Sequence, residues 1–191
     1  DGEFIENTGI TKFTDLQNYS SNVNSYSFIS LAHIGFRWFT TPDQNRGFDP
    51  SVGTVIDGIY YGRNSFLTAF FQDMDRFEVL KGPQGTLFGK NSTAGVLNLT
   101  TRAPEDRYAF GATYIHDDND TLSFRPMVNI PLTENLDVRL AGSYSKDSGT
   151  AYNTFLDRPE NNAHINSTRA RVRYRMEDNW VLDFGGFISN Q

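Results

Sequence analysis

What most limits the folds open to this chain is an alternation of apolar and polar side chains over long segments of its second half. In 121–132 the even positions are Leu122, Phe124, Pro126, Val128, Ile130 and Leu132; the odd ones are Thr121, Ser123, Arg125, Met127, Asn129 and Pro131. Segment 136–145 sets Leu136, Val138, Leu140 and Tyr144 against Asp137, Arg139, Ser143 and Ser145. Segment 180–189 sets Trp180, Leu182, Phe184 and Ile188 against Asp183 and Ser189. Successive side chains of a strand point to opposite faces, so each segment reads as a strand with one apolar face. Strands of ~10 residues suit a tilted membrane crossing, whereas strands of soluble sandwiches average nearer ~5–6. The connections at 131–135 and 177–179 are tight, and 146–165 is a long polar loop, the asymmetry of outer-membrane barrels. The short Asp117-Asp118-Asn119-Asp120 turn is the exception.

Composition agrees with this pattern. Mean hydropathy is -0.50 and only 38% of residues are hydrophobic, yet aromatics reach 14%, with 16 Phe and 9 Tyr. A polar average with many aromatics fits strands that alternate lipid-facing and lumen-facing residues. No apolar run approaches the ~20 residues of a transmembrane helix. Cysteine is absent, so disulfides and thiolate metal sites are excluded. A net charge of -6 argues against nucleic acid as a partner, because a backbone binder carries a basic stripe. The chain has no initiating Met and no signal peptide, and it stops inside a strand-like pattern, so a longer parent chain is expected.

The first half, to about residue 105, is patterned differently. Residues 11–17 read as a short helix capped by Thr11 or Thr14, and 26–31 as a strand followed by a loop over 35–48. Residues 52–61 read as a hairpin turning at Asp57-Gly58. Phe66, Leu67, Phe70 and Phe71 have the spacing of an amphipathic helix over 65–73. A strand over 77–80 then runs into Gly82-Pro83, and Gly85 and Gly89 follow, which suits a turn array rather than a helix. The Gly85–Gly89 spacing is one residue short of a phosphate-binding loop, and Asn91 replaces its hydroxyl residue. Residues 49–60, with Pro50-Ser51-Val52-Gly53-Thr54-Val55-Ile56-Asp57-Gly58, and 75–89, with Asp75-Arg76-Phe77-Glu78-Val79-Leu80-Lys81-Gly82-Pro83-Gln84-Gly85-Thr86-Leu87-Phe88-Gly89, together resemble the plug domain of TonB-dependent outer-membrane receptors.

The resemblance implies a small α/β plug at 1–105, followed at 106–191 by the first five or so antiparallel strands of a transmembrane β-barrel. The complete barrel would have about 22 strands and a plugged lumen. It implies energy-coupled transport of a siderophore, vitamin, glycan or aromatic compound across the bacterial outer membrane. TonB, outer-membrane lipid and lipopolysaccharide are the implied partners, and neither an enzyme activity, a cofactor nor a metal is implied. Substrate would meet the plug's outward loops, where Arg37, Trp38, Phe39, Asp43, Arg46, Tyr60, Tyr61, Arg63 and Phe66 are the candidates. Asp75, Arg76, Glu78 and Lys81 would lock plug to barrel, although Lys81 stands where the family's arginine makes a bidentate fork. Leu31-Ala32-His33 likewise stands in place of the family's I-R-G triplet.

Arg169, Arg171, Arg173 and Arg175 share one face of a strand at ~6.6 Å spacing. Four cations facing lipid would be prohibitive, so the lumen is expected, with carboxylates of the plug or of neighbouring strands opposite. Upper members of the row could instead line an anionic substrate path. His33, His116 and His164 are too dispersed for catalysis and are expected on a loop, a strand end and a loop. Two other classes fit parts of the pattern. A soluble β-rich carbohydrate-binding or carbohydrate-active protein would use the aromatic loops for sugar stacking but lacks an evident carboxylate pair. A non-transporting outer-membrane barrel would show the alternation without the glycine-rich blocks.

Overall fold

The structure, a computed structural model, describes the chain apart from residues 1, 3, 5–7, 9, 11–12, 29–30, 38, 40–48, 63–66, 68–71, 117–121, 149–150, 161, 177–179 and 191. The expected helix at 65–73, the cap at Thr11 and the turns at 117–120 and 177–179 fall wholly or largely outside the described residues. The chain forms two compact units, Asp1–Arg102 and Ala103–Gln191.

The first unit opens with a 3-10 helix (Phe13–Asn18) and an antiparallel pair, β1 (Val23–Phe28) and β2 (Leu31–Phe36). A four-stranded sheet follows, made of β3 (Val52–Ile56), β4 (Ile59–Tyr61), β5 (Met74–Lys81) and β6 (Gly95–Thr101) in the order β4-β3-β6-β5. β3 and β6 run parallel, and the other neighbours run antiparallel. All five residues of β3 are buried, as a central strand covered on both faces requires. Val52, Ile56, Val96, Leu97 and Leu99 form the heart of this core together with Phe36. A Cβ at Gly95 would lie 2.5 Å from Phe36 Cδ2 and 2.3 Å from the Leu80 carbonyl, so the close approach of ring and backbone demands glycine there.

Two local readings are corrected in this unit. The loop does not begin at residue 35 and His33 is not on a loop: β2 pairs with β1 through Phe36, and His33 lies buried within it. Ala32, His33 and Gly35 carry little strand preference, so the pairing partner decides the conformation. The glycine run also holds one helical turn, α1 (Gly85–Phe88), in which Phe88 N donates to Gln84 O at 3.0 Å. Gly82 and Gly89 flank it at φ +94° and +76°, so glycine bounds the helical turn from both sides.

The second unit is a five-stranded antiparallel sheet in the order β13-β12-β9-β8-β7. Its strands are β7 (Ala109–His116), β8 (Leu122–Thr133), β9 (Leu136–Asp147), β12 (Ala163–Arg175) and β13 (Val181–Asn190). Side-chain alternation divides the sheet as the pleat requires. Ser123, Asn129, Asp137, Arg139, Ser167 and Arg169 are buried on one face, while Phe124, Leu140, Tyr144, Phe184 and Ile188 are exposed on the other. The long connection after β9 is not a plain polar loop. It carries a hairpin of β10 (Ala151–Asn153) and β11 (Arg158–Glu160), turned by Asp157 at φ +51°. His164 accordingly sits in β12 rather than in a loop.

Candidate functional site

Four of the nine substrate candidates lie among the described residues. Arg37 follows β2 at φ +52°, exposed, with its N–H donating to Asn22 O at 3.0 Å. Phe39 bridges to Phe36 through the backbone, and the residue is 69% exposed. Tyr60 and Tyr61 are half-buried on β4, positioned by the Asp57-Gly58 turn, whose two positive φ angles match a tight two-residue hairpin. Trp38, Asp43, Arg46, Arg63 and Phe66 lie outside the described residues.

The Tyr60 hydroxyl accepts a hydrogen bond from Asn91 Nδ2 at 2.8 Å, tying β4 to the segment after α1. Burial raises the Tyr60 pKa above its ordinary 10.0; the Asn91 contact pulls it back, and the Asp49 charge adds to the rise. Burial, then the Asp57 charge, raises Tyr61 as well. Both phenols are therefore neutral, aromatic and polar-tipped at physiological pH, a character suited to enclosing a ligand. Asp57 also clamps the far end of β6: Thr101 N–H and Oγ1 donate to its two carboxylate oxygens at 2.8 and 2.7 Å. Sequence reading assigned Asp57 to a turn and gave Asn91 no role, since both contacts span more than thirty residues.

The proposed lock residues make contacts inside the first unit. Arg76 Nε lies 3.5 Å from Glu78 Oε1, and Asn98 Nδ2 donates to Glu78 Oε2 at 2.7 Å. Lys81 Nζ donates to the Ser21 carbonyl at 2.5 Å, and Asp75 is exposed.

In the second unit the arginine row meets carboxylates from the strands on either side. Asp137 of β9 and Asp183 of β13 are the cross-strand partners of Arg173. Arg173 binds Asp183 through a two-bond fork, Nε to Oδ1 and Nη2 to Oδ2, both 2.9 Å. Its Nη1 also donates to the Pro104 carbonyl at 3.3 Å. Arg175 pairs with Asp137, whose side chain is wholly buried, and Arg171 Nη2 lies 4.0 Å from Asp183. Arg139 is directly across from Arg171 and donates to Met127 Sδ at 4.0 Å. Arg125, Arg139 and the four row members thus share the odd-numbered face with Asp137 and Asp183, so arginines outnumber aspartates there.

Asn129 is a contact site that sequence reading missed. Fully buried on β8, its Oδ1 accepts the Glu105 N–H at 3.0 Å. Its Nδ2 donates to the Glu105 and Arg107 carbonyls at 2.8 and 2.6 Å. With Arg173 on the Pro104 carbonyl, these bonds fasten the 104–107 segment to the sheet. The polar slot in the alternation was the only sequence signal.

A small mixed sheet with a glycine-bounded turn, joined in one chain to strands long enough to cross a membrane, supplies the parts of a plugged outer-membrane barrel. Residues 1–96 match the TonB-dependent Receptor Plug Domain family, and the chain belongs to it. Among curated proteins it is 34% identical over 58 residues to a pesticin receptor of Yersinia pestis, covering 30% of this chain and 8% of that receptor. It is 29% identical over 126 residues to the ferric enterobactin receptor PirA of Pseudomonas aeruginosa, covering 63% and 16%. The chain therefore spans less than a fifth of these relatives' lengths. The fold resembles that of the ferric yersiniabactin uptake receptor FyuA of Yersinia pestis, with a TM-score of 0.82 at 19% identity over 97% of this chain and 30% of that one. The pyoverdine outer-membrane receptor FpvA of Pseudomonas aeruginosa gives 0.73 at 19% identity over 95% and 25%. Both resemblances extend through the plug sheet and the five-stranded wall, and the chain is an outer-membrane protein.

Proposed function

We propose that this chain is the plug (1–105) and first wall strands (106–191) of a receptor for energy-coupled import across the outer membrane, with a ferric siderophore as cargo. The observation that carries this reading is the union, in one chain, of a plug-family sheet with five antiparallel strands, four of them of membrane-crossing length. Among scarce nutrients a siderophore is favoured because the relatives named above are receptors for ferric enterobactin and ferric yersiniabactin. Family membership also displaces a soluble carbohydrate-active protein.

On this reading cargo binds from outside against Arg37, Phe39, Tyr60 and Tyr61, with Trp38, Asp43, Arg46, Arg63 and Phe66 as further contacts. TonB pulls a segment N-terminal to the plug to open a path, and no chemical step on the cargo is involved. Asp75, Arg76, Glu78 and Lys81 help to hold the plug between pulls. The arginine row faces the lumen, and its lower members are neutralised by Asp137 and Asp183. Outer-membrane lipid and lipopolysaccharide surround the wall. Uptake of radiolabelled ferric siderophores by cells with and without the full-length receptor tests the proposal. Uptake should need both the receptor and TonB; cargo entry that persists without TonB, or failure with every ferric siderophore class, would overturn it.

A further inference from the structure

The chain passes from one set of partners to another within a single residue. On the near side, Thr101 N–H and Oγ1 donate to the Asp57 carboxylate at 2.8 and 2.7 Å, and Arg102 N–H donates to the Asp73 carbonyl at 3.1 Å. On the far side, Asn129 holds Glu105 and Arg107 through its carboxamide, and Arg173 Nη1 donates to the Pro104 carbonyl at 3.3 Å. Ala103 lies between the two sets, where the first unit ends and the second begins. Proline pushes the residue before it toward extended backbone, so Ala103 offers no slack to absorb a displacement. A pull on Arg102 therefore loads the bonds of 104–107 directly.

The two sets are not equally supported. Asp57 sits in the turn that joins β3 to the edge strand β4. Asp73 precedes β5, the other edge of that sheet, where the register slips between Met74 and Arg76. An edge strand is held by one ladder only, so these partners can leave with the strand that carries them. Asn129 and Arg173 stand on interior strands instead: β8 is bonded to β7 and β9, and β12 to β9 and β13. Asn129 is fully buried, as is Pro104. Arg173 is aimed by its fork, because Nε and Nη2 engage Asp183 and Nη1 is directed at the Pro104 carbonyl.

We propose that Asn129 and Arg173 form a mechanical stop. A pull applied N-terminal to the plug draws the chain away up to Arg102, while 104–107 stays fastened to the wall strands. Both act as positioning residues, without contact to cargo. The import reading supplies the source of the pull; the stop itself rests on bonds within the second unit.

The test pulls the full-length receptor, held in a membrane, through a handle at its N-terminus while an optical trap records force and length. Release of the plug should end at Ala103. A separate event at higher force should follow and free 104–107, adding about 14 Å at ~3.5 Å per residue. Asn129→Ala should merge that event with the last plug step, while the earlier steps and heat-modifiable mobility match the wild type. Arg173→Lys keeps a cation beside Asp183 but loses the fork, and it serves if Asn129→Ala does not fold. It should shorten the lifetime of the event at fixed force about tenfold, the effect of losing one hydrogen bond. A wild-type trace in which 104–107 leaves together with β6 or with β7 would overturn the proposal. So would a last event unchanged in both variants, or a weakening of every step alike. The handle replaces TonB and no cargo is present, so a receptor that imported nothing would give the same trace, and the two readings fail separately.

Discussion

Replacing Asn129 with Ala isolates the fastening of the 104–107 segment. The side chain is fully buried and makes three hydrogen bonds, at 3.0, 2.8 and 2.6 Å, all to backbone groups of Glu105 and Arg107. At about 1 kcal/mol net each, their loss removes about 3 kcal/mol of local stability. A factor of ten corresponds to ~1.4 kcal/mol, so opening of this segment should become about a hundredfold more frequent. Hydrogen exchange on the full-length receptor, resolved to peptides covering 103–108, reads that change directly. The Glu105 amide should lose about two decades of protection, while amides of β6 keep theirs. Asn98→Ala serves as the control: it removes one bond to Glu78 and should leave 103–108 unchanged. Unaltered protection in Asn129→Ala would refute the reasoning, because the segment would then be held by something other than this side chain.

Leu140→Arg, on the exposed face of β9, should cost about 2–4 kcal/mol and lower the yield of folded, heat-modifiable barrel, whereas Ser143→Arg on the opposite face should be much milder. Arg175→Ala leaves the buried Asp137 carboxylate without this partner and should destabilise the sheet by about 3–5 kcal/mol in urea unfolding; adding Asp137→Ala should recover part of the loss. Gly95→Ala forces a Cβ into Phe36 and the Leu80 carbonyl and should cost about 1–3 kcal/mol of plug stability, read by exchange at β6. Tyr60 should ionise above the ordinary 10.0 in an absorbance titration of receptor and Tyr60→Phe variant. Its raised pKa favours the neutral folded form, so the stability it contributes is full below pH 10 and is lost as pH rises through the folded pKa.

Much of the wall was legible in the sequence because the physics that shapes it is local and periodic. A pleated strand with lipid on one side must alternate, so 121–132, 136–145 and 180–189 disclose their strands and both of their faces residue by residue. The same rule sets Arg169, Arg171, Arg173 and Arg175 on one face before any contact is known. The plug blocks were legible for another reason: Asp57-Gly58 and the glycines at 82 and 89 mark backbone turns that few other residues permit.

Tertiary structure decided what depends on partners distant along the chain. His33 became part of a buried strand because β1 offers it a ladder, although Ala32, His33 and Gly35 themselves carry little strand preference. Within the long connection, a short hairpin formed around Asp157 where the sequence read only as polar loop. Which carboxylates meet the arginines was fixed by register: Asp137 and Asp183 reach Arg175 and Arg173 across neighbouring strands, over 38 and 10 residues. Asn129 read as one more polar residue on an alternating strand until the fold brought the 104–107 backbone within hydrogen-bond reach. Alternation tells each residue which way to face, but only strand pairing tells it what it will find there.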